Sequence, residues 1–364
     1  MGLVEASQTR TLSLPLDRAD DLCRAVLRTV GFDDREVTDC TEAILFATRR
    51  GLDSHGIVSI LPAIARGARE GRIQPGATIL LERDGPTTAL LRGNGAAGPV
   101  VGAYAMRTAL DKAAEHGLAI VAARNCAHFG AASAYAAMAP PRGMIGIVMC
   151  NAGPNVAPYG GTQLLHGTNP IAYAAPAGNE PPIVLDVATS AAAHGQIAKA
   201  QRRGQPIPFG WALDAHGQQT DDPAAAKVLL PFGAHKGYGF GILVDLLTGA
   251  LTGSTIGKGV QQQSADRASG GQAFFFLAID ISAFTQLATF DARAEQLIHD
   301  AHGVAPASPN GAVLLPGELE WREEQRRQRA GVPIEAGDWQ ALVAGLERAG
   351  IDPSIAEGHA PDGL

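Results

Sequence analysis

The sequence predicts a mixed α/β (α+β) protein in which a central sheet is flanked by helices contributed from both chain ends. Three observations carry that expectation. Apolar residues recur at helical spacing near both ends of the chain, and the middle instead holds short apolar runs cut apart by Gly, Pro and Asn. One apolar stretch, "GYGFGILVDLLTGALTG" at residues 237–253, is too long for a strand.

Residues 16–30 place apolar side chains on one helical face behind Asp17 as the expected cap. A second helix is expected over residues 34–50, stopping at Gly51, which lacks the Cβ that resists a left-handed cap. "SHG" reads as a turn opening a third helix, and residues 99–116 as a fourth that ends at Gly117. The runs "LAIVAA", "MIGIVMC", "IAYAAP", "IVLDVA" and "AFFFLAID" predict buried strands, residues 237–253 a buried helix and residues 292–302 a late helical stretch. "ELEWREEQRRQR" at residues 318–329 mixes both charge signs and predicts a solvated helix. Residues 254–272 read as a polar, mobile loop and residues 347–364 as a weakly ordered tail.

At 364 residues the chain has room for two or three subdomains around a shared core, and an aromatic content of 5% makes aliphatic and alanine packing dominate. The net charge of -7, with no strongly basic segment, speaks against a nucleic-acid partner. No apolar run approaches the ~18 residues of a membrane span. The first residues lack the order of a secretory signal, so a soluble, cytoplasmic protein is expected. Cys23, Cys40, Cys126 and Cys150 are widely spaced without a C-x-x-C pair, as in a chain with reduced thiols. The ten histidines show no H-x-H or H-E-x-x-H spacing, so no metal site is expected.

Gly93, Gly95 and Gly98 in "LLRGNGAAGPVVGAYAMRTAL" spell G-x-G-x-x-G between an apolar run and a helix. Such a turn can cradle a pyrophosphate, provided an acid follows on the next strand to take the ribose hydroxyls. The next strand ends instead in Arg124 and Asn125, where an arginine could favour a 2′-phosphate. The other reading is a tight turn and close helix packing, for which glycine is equally suited.

Five further stretches are specific when taken together: "RRGLDSHGIVSILP", "NCAHFGAASAYA", "NAGPNVAPYGGTQLLHGTNPIAYAAP", "IVLDVATSAAAHGQI" and "GWALDAHGQQTDDPAAAKVLLPFGAHKGYG". In order and spacing they resemble the malate/L-lactate dehydrogenase family of the second type, over residues 16–334. That family includes ureidoglycolate, sulfolactate and diketogulonate oxidoreductases and reductases of cyclic imino acids. The resemblance implies a non-Rossmann NAD(P)-binding fold, a homodimer, and a structural role for Gly93 to Gly98. It also implies a division into residues 8–117 with 303–346 on the substrate side and residues 118–302 as a cofactor-binding sheet.

By the same resemblance His55 is the proton donor or acceptor, and a near-neutral imidazole meets the needs of hydride chemistry at a C=O or C=N carbon. Ser54 would hold its tautomer or touch substrate, and a plain capping Ser-His pair is the structural alternative. His128 would serve catalysis or touch the nicotinamide, or else pack a turn. Phe129, Gly130, Ala131, Ala132, Ala152, Val187, Ala188, Lys236, Pro316, Gly317 and Glu318 are implied to border the dinucleotide. Asp186 would take ribose hydroxyls or orient a histidine, or merely cap a helix. Thr168, His194 and Gly195 would border the substrate.

Relatives carry an arginine four residues after the histidine of "SHG", clamping the substrate carboxylate; here Ser59 stands there. A hydroxyl cannot replace a bidentate guanidinium, so Arg49, Arg50 or a different substrate group must compensate. "ATSAAAHGQI" and "VLLPFGAHKG" are most similar to reductases of Δ1-piperideine-2-carboxylate and Δ1-pyrroline-2-carboxylate, which prefer NADPH. The expected activity is therefore hydride transfer between NADP or NAD and a small 2-oxo acid, 2-hydroxy acid or cyclic imino acid. A malate-, lactate- or ureidoglycolate-type dehydrogenase, a silent ligand-binding relative and a metal-dependent hydrolase are the competing readings.

Overall fold

The computed structural model describes residues 11–261, 271–308 and 311–363, in two compact units: Met1–Gly76 with Leu319–Leu364, and Ala77–Glu318. The first unit opens with β1 (Thr11–Leu14), α1 (Leu16–Thr29), α2 (Asp34–Arg49), a 3₁₀ turn at Asp53–His55 and α3 (Ile57–Arg69). Helix α1 buries Ala19, Leu22, Cys23, Val26 and Leu27, the i, i+3, i+4 stripe of its sequence. Asp17 is not its cap. Pro15 takes that position without a side-chain bond, and Asp17 lies in the first turn, where a carboxylate favours the helix dipole. Helix α2 instead has a full capping box: Asp33 accepts the Glu36 N–H at 2.8 Å and Glu36 accepts the Asp33 N–H at 3.1 Å. Gly51 follows at φ +76°.

The second unit runs β2 (Leu80–Asp84), β3 (Thr88–Arg92), α4 (Gly98–His116), β4 (Leu118–Cys126), α5 (Ser133–Ala136), β5 (Met144–Cys150), β6 (Ile171–Ala175) and β7 (Ile183–Val187). After these come α6 (His194–Arg203), the small strands β8 (Ala212–Leu213), β9 (Gln219–Thr220) and β10 (Val228–Leu229), and α7 (His235–Asp245). A π-helical turn (Leu246–Ala250), β11 (Gln272–Asp280) and α8 (Leu287–His302) complete it. Seven strands form one sheet in the order β2-β3-β4-β11-β5-β6-β7, every pair antiparallel except β3–β4. Ala273 to Phe276 of β11 are buried in its centre. Of the expected loop at residues 254–272, residues 262–270 lie outside the described residues.

The register brings several chain segments to one edge of this sheet. Gln272 pairs with Cys126, Phe274 with Cys150, Met149 with Ile171, and Ile171 with Val187. The ends of β4, β5 and β7 therefore lie beside the starts of β6 and β11.

The glycine motif does sit between parallel strands β3 and β4, joined through α4. The rest of the sheet is antiparallel, which a doubly wound dinucleotide fold is not. A Cβ built on Gly98 would lie 2.2 Å from the His128 carbonyl oxygen, and one on Gly93 would lie 2.8 Å from that of Asn125. Two glycines of the motif thus admit the backbone of the following strand end, the role expected of close packing.

Helix α7, expected to be buried, instead exposes Phe240 and Leu243, and Leu246 at the start of the π turn and Leu251 just beyond it are exposed too. Hydropathy alone cannot separate a fully covered helix from one with an uncovered apolar face.

The first unit is completed by α9 (Glu318–Ala330), β12 (Val332–Glu335), α10 (Ala336–Arg348) and α11 (Pro353–Glu357). β12 pairs antiparallel with β1. Residues 347–364, expected as a weakly ordered tail, carry α11 and return to β1 through an Ser13–Asp362 bridge. The expected boundaries at 117 and 302 fall inside the second unit, because α4 and α8 pack with its strands and turns. The α9 stretch is helical as expected but not wholly solvated: Arg327 is 4% exposed.

Candidate active site

Within the first unit, His55 ends the 3₁₀ turn that follows α2. Its Nδ1 lies 2.9 Å from Ser54 Oγ. Either atom can donate in this bond, according to the ring tautomer. Burial pushes the imidazole below its ordinary value, so His55 is neutral at pH 7. The turn is held from beneath. Arg327 Nη1 donates to the Thr48 carbonyl at 2.6 Å and to Asp53 at 2.9 Å, while its Nε donates to Glu323 at 2.6 Å. Thr48 Oγ1 in turn accepts the Ile57 N–H at 2.9 Å. Arg327 carried no signal in the sequence, where it looked like one more charge on a solvated helix.

Ser59 is exposed and its hydroxyl reaches the Asp53 carbonyl at 3.4 Å. Arg49 and Arg50, considered as substitutes for the missing clamp, both engage Glu324, at 3.3 and 3.0 Å. Arg50 also lies over the Phe46 ring.

Within the second unit, the sheet edge gathers most of the remaining candidates. Asp186, near the end of β7, accepts the Ser133 N–H at 2.9 Å and the Ser133 hydroxyl at 2.6 Å. These bonds fasten Ser133, at the start of α5, to the end of β7. His128, ahead of α5, is half-buried. The Phe129 ring is 1% exposed, stacked on Phe274 and Tyr135 at 4.3 and 4.9 Å between centroids, so only its backbone can border a ligand. Gly130 has φ +83°, and nothing lies within 4 Å of where its Cβ would be. Ala131 and Ala132 are buried.

The Thr168 carbonyl accepts both the N–H and the hydroxyl of Thr189, at 2.7 and 3.0 Å. The Thr189 carbonyl accepts the Phe232 N–H at 3.0 Å. This chain of bonds ties the GTNP turn, the strand end at Val187 and Ala188, and the approach to α7. Ala152 donates its N–H to Asn169 Oδ1 at 3.0 Å and joins the same group. Ala234, the residue before α7, holds φ +58° and ψ -115°, a conformation costly for an L-residue and characteristic of functional sites. The next residues, His235 and Lys236, are exposed at the helix start. His194 and Gly195 open α6 and are exposed, though partial shielding of its ring from water still lowers the His194 imidazole. Pro316 accepts the Val184 N–H at 3.3 Å, and Gly317, at φ +81°, lies against the Val184 carbonyl, where a Cβ would be 2.2 Å away. Glu318 accepts from the Leu315 N–H and from His302.

Arg124, considered for a 2′-phosphate, is bidentate to Glu82 at 2.7 and 3.0 Å. Among the described residues, no group of three or more His, Cys, Asp or Glu is placed to hold a metal ion. No helix of the described residues is long and apolar enough to cross a membrane.

The model of the malate/L-lactate dehydrogenase family matches residues 14–343. The chain belongs to that family. Malate dehydrogenase of Pyrococcus abyssi is 36% identical over 343 residues, 92% of this chain and 93% of that one. The solved sulfolactate dehydrogenase of Methanocaldococcus jannaschii is 32% identical with a TM-score of 0.85, covering 94% of this chain and 99% of the other. The Δ1-piperideine-2-carboxylate reductase of Pseudomonas syringae pvar. tomato is 30% identical with a TM-score of 0.78, covering 91% and 98%. This dehydrogenase-family member is thus an NAD(P)-dependent oxidoreductase on the family's non-Rossmann fold. The open backbone at Gly130 and the exposed ammonium of Lys236 fit a dinucleotide, whose phosphates and ribose need bare N–H groups and positive charge.

Proposed function

We propose that this enzyme transfers hydride between a nicotinamide dinucleotide and a small 2-oxo acid, 2-hydroxy acid or cyclic imino acid, with His55 handling the proton. The observation that carries the reading is the Thr168–Thr189–Phe232 bond chain, which gathers the GTNP turn, the strand end and the Lys236 helix at one sheet edge. When bound, the dinucleotide supplies or accepts the hydride. The turn at His128 to Ala132, Ala152, Asp186 to Ala188, Lys236 and Pro316 to Glu318 are the residues proposed to hold it. Thr168, His194, Gly195 and Ser59 are proposed to border the substrate.

A C=O carbon that gains hydride leaves negative charge on oxygen. The protonated His55 ring gives up a proton to quench it and is left neutral. In the reverse direction the neutral ring takes that proton from the substrate hydroxyl, while Ser54 fixes the ring. His128 is assigned to cofactor contact.

For the substrate, a cyclic imino acid is the favoured class. Ser59 supplies no guanidinium and both neighbouring arginines are engaged by Glu324, which disfavours a simple 2-oxo acid clamped by arginine. The likeness to the P. syringae reductase points the same way, and the NADPH preference rests on that subgroup resemblance. A malate-type dehydrogenase is the second reading, favoured by the higher identity to the P. abyssi protein. An absorbance assay with NADH and NADPH, across cyclic imines, 2-oxo acids and 2-hydroxy acids, tests both. Absence of turnover with every member would overturn the proposal.

The binding assignment makes its own prediction. Lys236→Ala is expected to weaken dinucleotide binding about tenfold, as loss of one charge-assisted contact does. Gly95→Ala, at φ +87°, is expected to lower stability but leave affinity unchanged in a fluorescence titration. The reverse ranking would return the cofactor to the glycine turn.

A homodimer and a cytoplasmic setting belong to the same proposal. The uncovered apolar face of Phe240, Leu243 and Leu246 supports the first, and four free, buried cysteines support the second.

A further inference from the structure

The GTNP turn is built around one buried amide. Asn169 is fully buried and holds φ +35°, in the left-handed region that Asn tolerates better than most residues. Pro170 follows it and leads into β6, and the Pro170 carbonyl accepts the Cys150 N–H at 3.3 Å. The turn is thereby laid along the segment that leaves β5. Gly167 presses on the same segment, where a Cβ would lie 2.3 Å from the Ala152 carbonyl oxygen.

The amide of Asn169 faces two partners of opposite character. Its Oδ1 accepts the Ala152 N–H at 3.0 Å, and its Nδ2 donates to the Gly241 carbonyl, also at 3.0 Å. An N–H at one end and a carbonyl at the other fix which way the amide points, and an ionised carboxylate or an apolar side chain cannot serve both. Gly241 lies within α7, the helix that presents Lys236. Its bare Cα also admits the His166 ring, where a Cβ would lie 2.7 Å away. Asp245, buried at the end of α7, is hydrogen-bonded by the Gly257 N–H at 3.2 Å and by the Asn169 and Asn151 amides. The π-helical turn begins immediately after it, and such turns recur at functional sites.

We propose that Asn169 is a positioning residue whose left-handed backbone and single amide hold the Gly167–Thr168 turn, the Ala152 backbone and the Lys236 helix in one fixed relation. The inference rests on the roles proposed for Ala152, Thr168 and Lys236. Under those roles the substrate seat and the dinucleotide seat share one fastening, so loosening it weakens both ligands together. Fully buried, Asn169 touches neither ligand and takes no part in the proton transfer of His55. Its loss therefore falls on binding rather than on the chemical step.

Asn169→Gly removes the amide yet tolerates the left-handed backbone. It is expected to raise KM for both dinucleotide and substrate about tenfold while kcat changes less than about threefold. Asn169→Asp keeps an oxygen toward Ala152 but, when ionised, turns its second oxygen on the Gly241 carbonyl. Protonated, the same carboxyl accepts from Ala152 and donates to Gly241, the two bonds of the amide. Burial beside Asp245 raises the introduced carboxyl. The KM values of this variant, each divided by that of wild type at the same pH, should therefore fall from about tenfold at about pH 8 to within about threefold at about pH 5.5. Asp245, His166 and Tyr238 are the titratable groups around this position. The glycine variant keeps all three, so its KM ratios should not follow pH. Wild-type KM values in the glycine variant, or an aspartate variant equally impaired at both pH values, would overturn the role. Should the glycine variant fail to fold, the pH trend of the aspartate variant decides. Wild-type protein that binds no dinucleotide would instead refute the roles of Ala152, Thr168 and Lys236. Urea unfolding would then still report on the amide: a carboxyl raised in the folded state costs stability only as the pH climbs above its unfolded value. The deficit of the aspartate variant against wild type should shrink on acidification, and a constant deficit would count against the two bonds.

Discussion

Replacing His55 with alanine is expected to lower turnover by about 10²- to 10⁴-fold, the usual worth of a positioned proton donor. Dinucleotide affinity should stay within about twofold, because no cofactor contact is assigned to this side chain. Single-turnover absorbance and equilibrium fluorescence measure the two quantities separately. Unchanged turnover would remove His55 from the mechanism, and His128→Ala with the larger loss would transfer the role. The pH profile is a second check. Burial lowers the His55 imidazole below its ordinary value, so oxidation of a hydroxy acid, which needs the neutral ring, should lose rate only on acidification below about pH 6.5. Reduction, which needs the protonated ring, should lose rate as the pH rises through the lowered value of this imidazole. Both limbs should vanish in the alanine variant.

Replacing Arg327 with alanine is expected to destabilise the protein by about 3 kcal/mol, since it strips the hydrogen bonds from a buried cluster and leaves the others uncompensated. The lost bonds are those to the Thr48 carbonyl, Asp53 and Glu323. Urea unfolding measures the loss. Turnover should fall too, as the Asp53–His55 turn loses its support. Arg327→Lys should not restore either property, because one ammonium cannot reproduce a planar fork that bonds in two directions. A fully stable alanine variant would show that the guanidinium is not what holds the turn. The same cluster gives the fold an acid limit. Arg326 first, and Arg327 next, lower the Glu323 carboxyl to about 2. Its folded-state value lies below the ordinary one, so its stabilisation is complete at neutral pH and drains away as the pH falls from about 4.5 toward 2.

The sequence showed the long helices and the central strands because both have a single strong period. Helix α2 and strands β4, β5 and β11 fall where apolar spacing puts them. Weak or mixed signals hid the rest. Strand β2 exposes Leu80 and Leu81 and has no buried face to mark it. β1 and β12 are four residues each and pair across more than three hundred positions, a relation no local pattern encodes. Asp17 satisfied the composition of a cap but not its geometry. At the site, the short motifs named many of the residues that the sheet edge gathers, including Asp186, Thr168 and Lys236. They did not name Ser133 or Arg327, whose roles come from partners distant in the chain. The glycine motif showed the converse: its pattern was real, but its purpose depended on the carbonyls of residues 127 and 128, which arrive thirty positions later.

The support of the early turn by Arg327 sets an order on biosynthesis. A nascent chain that has emerged through the whole seven-stranded sheet still lacks α9 and β12, so neither β1 nor the loop bearing His55 has its anchor. The sheet can form while the loop bearing His55 remains unfastened. With His55 in the role proposed for it, chains released before residue 327 should be inert even where their sheet is fully formed.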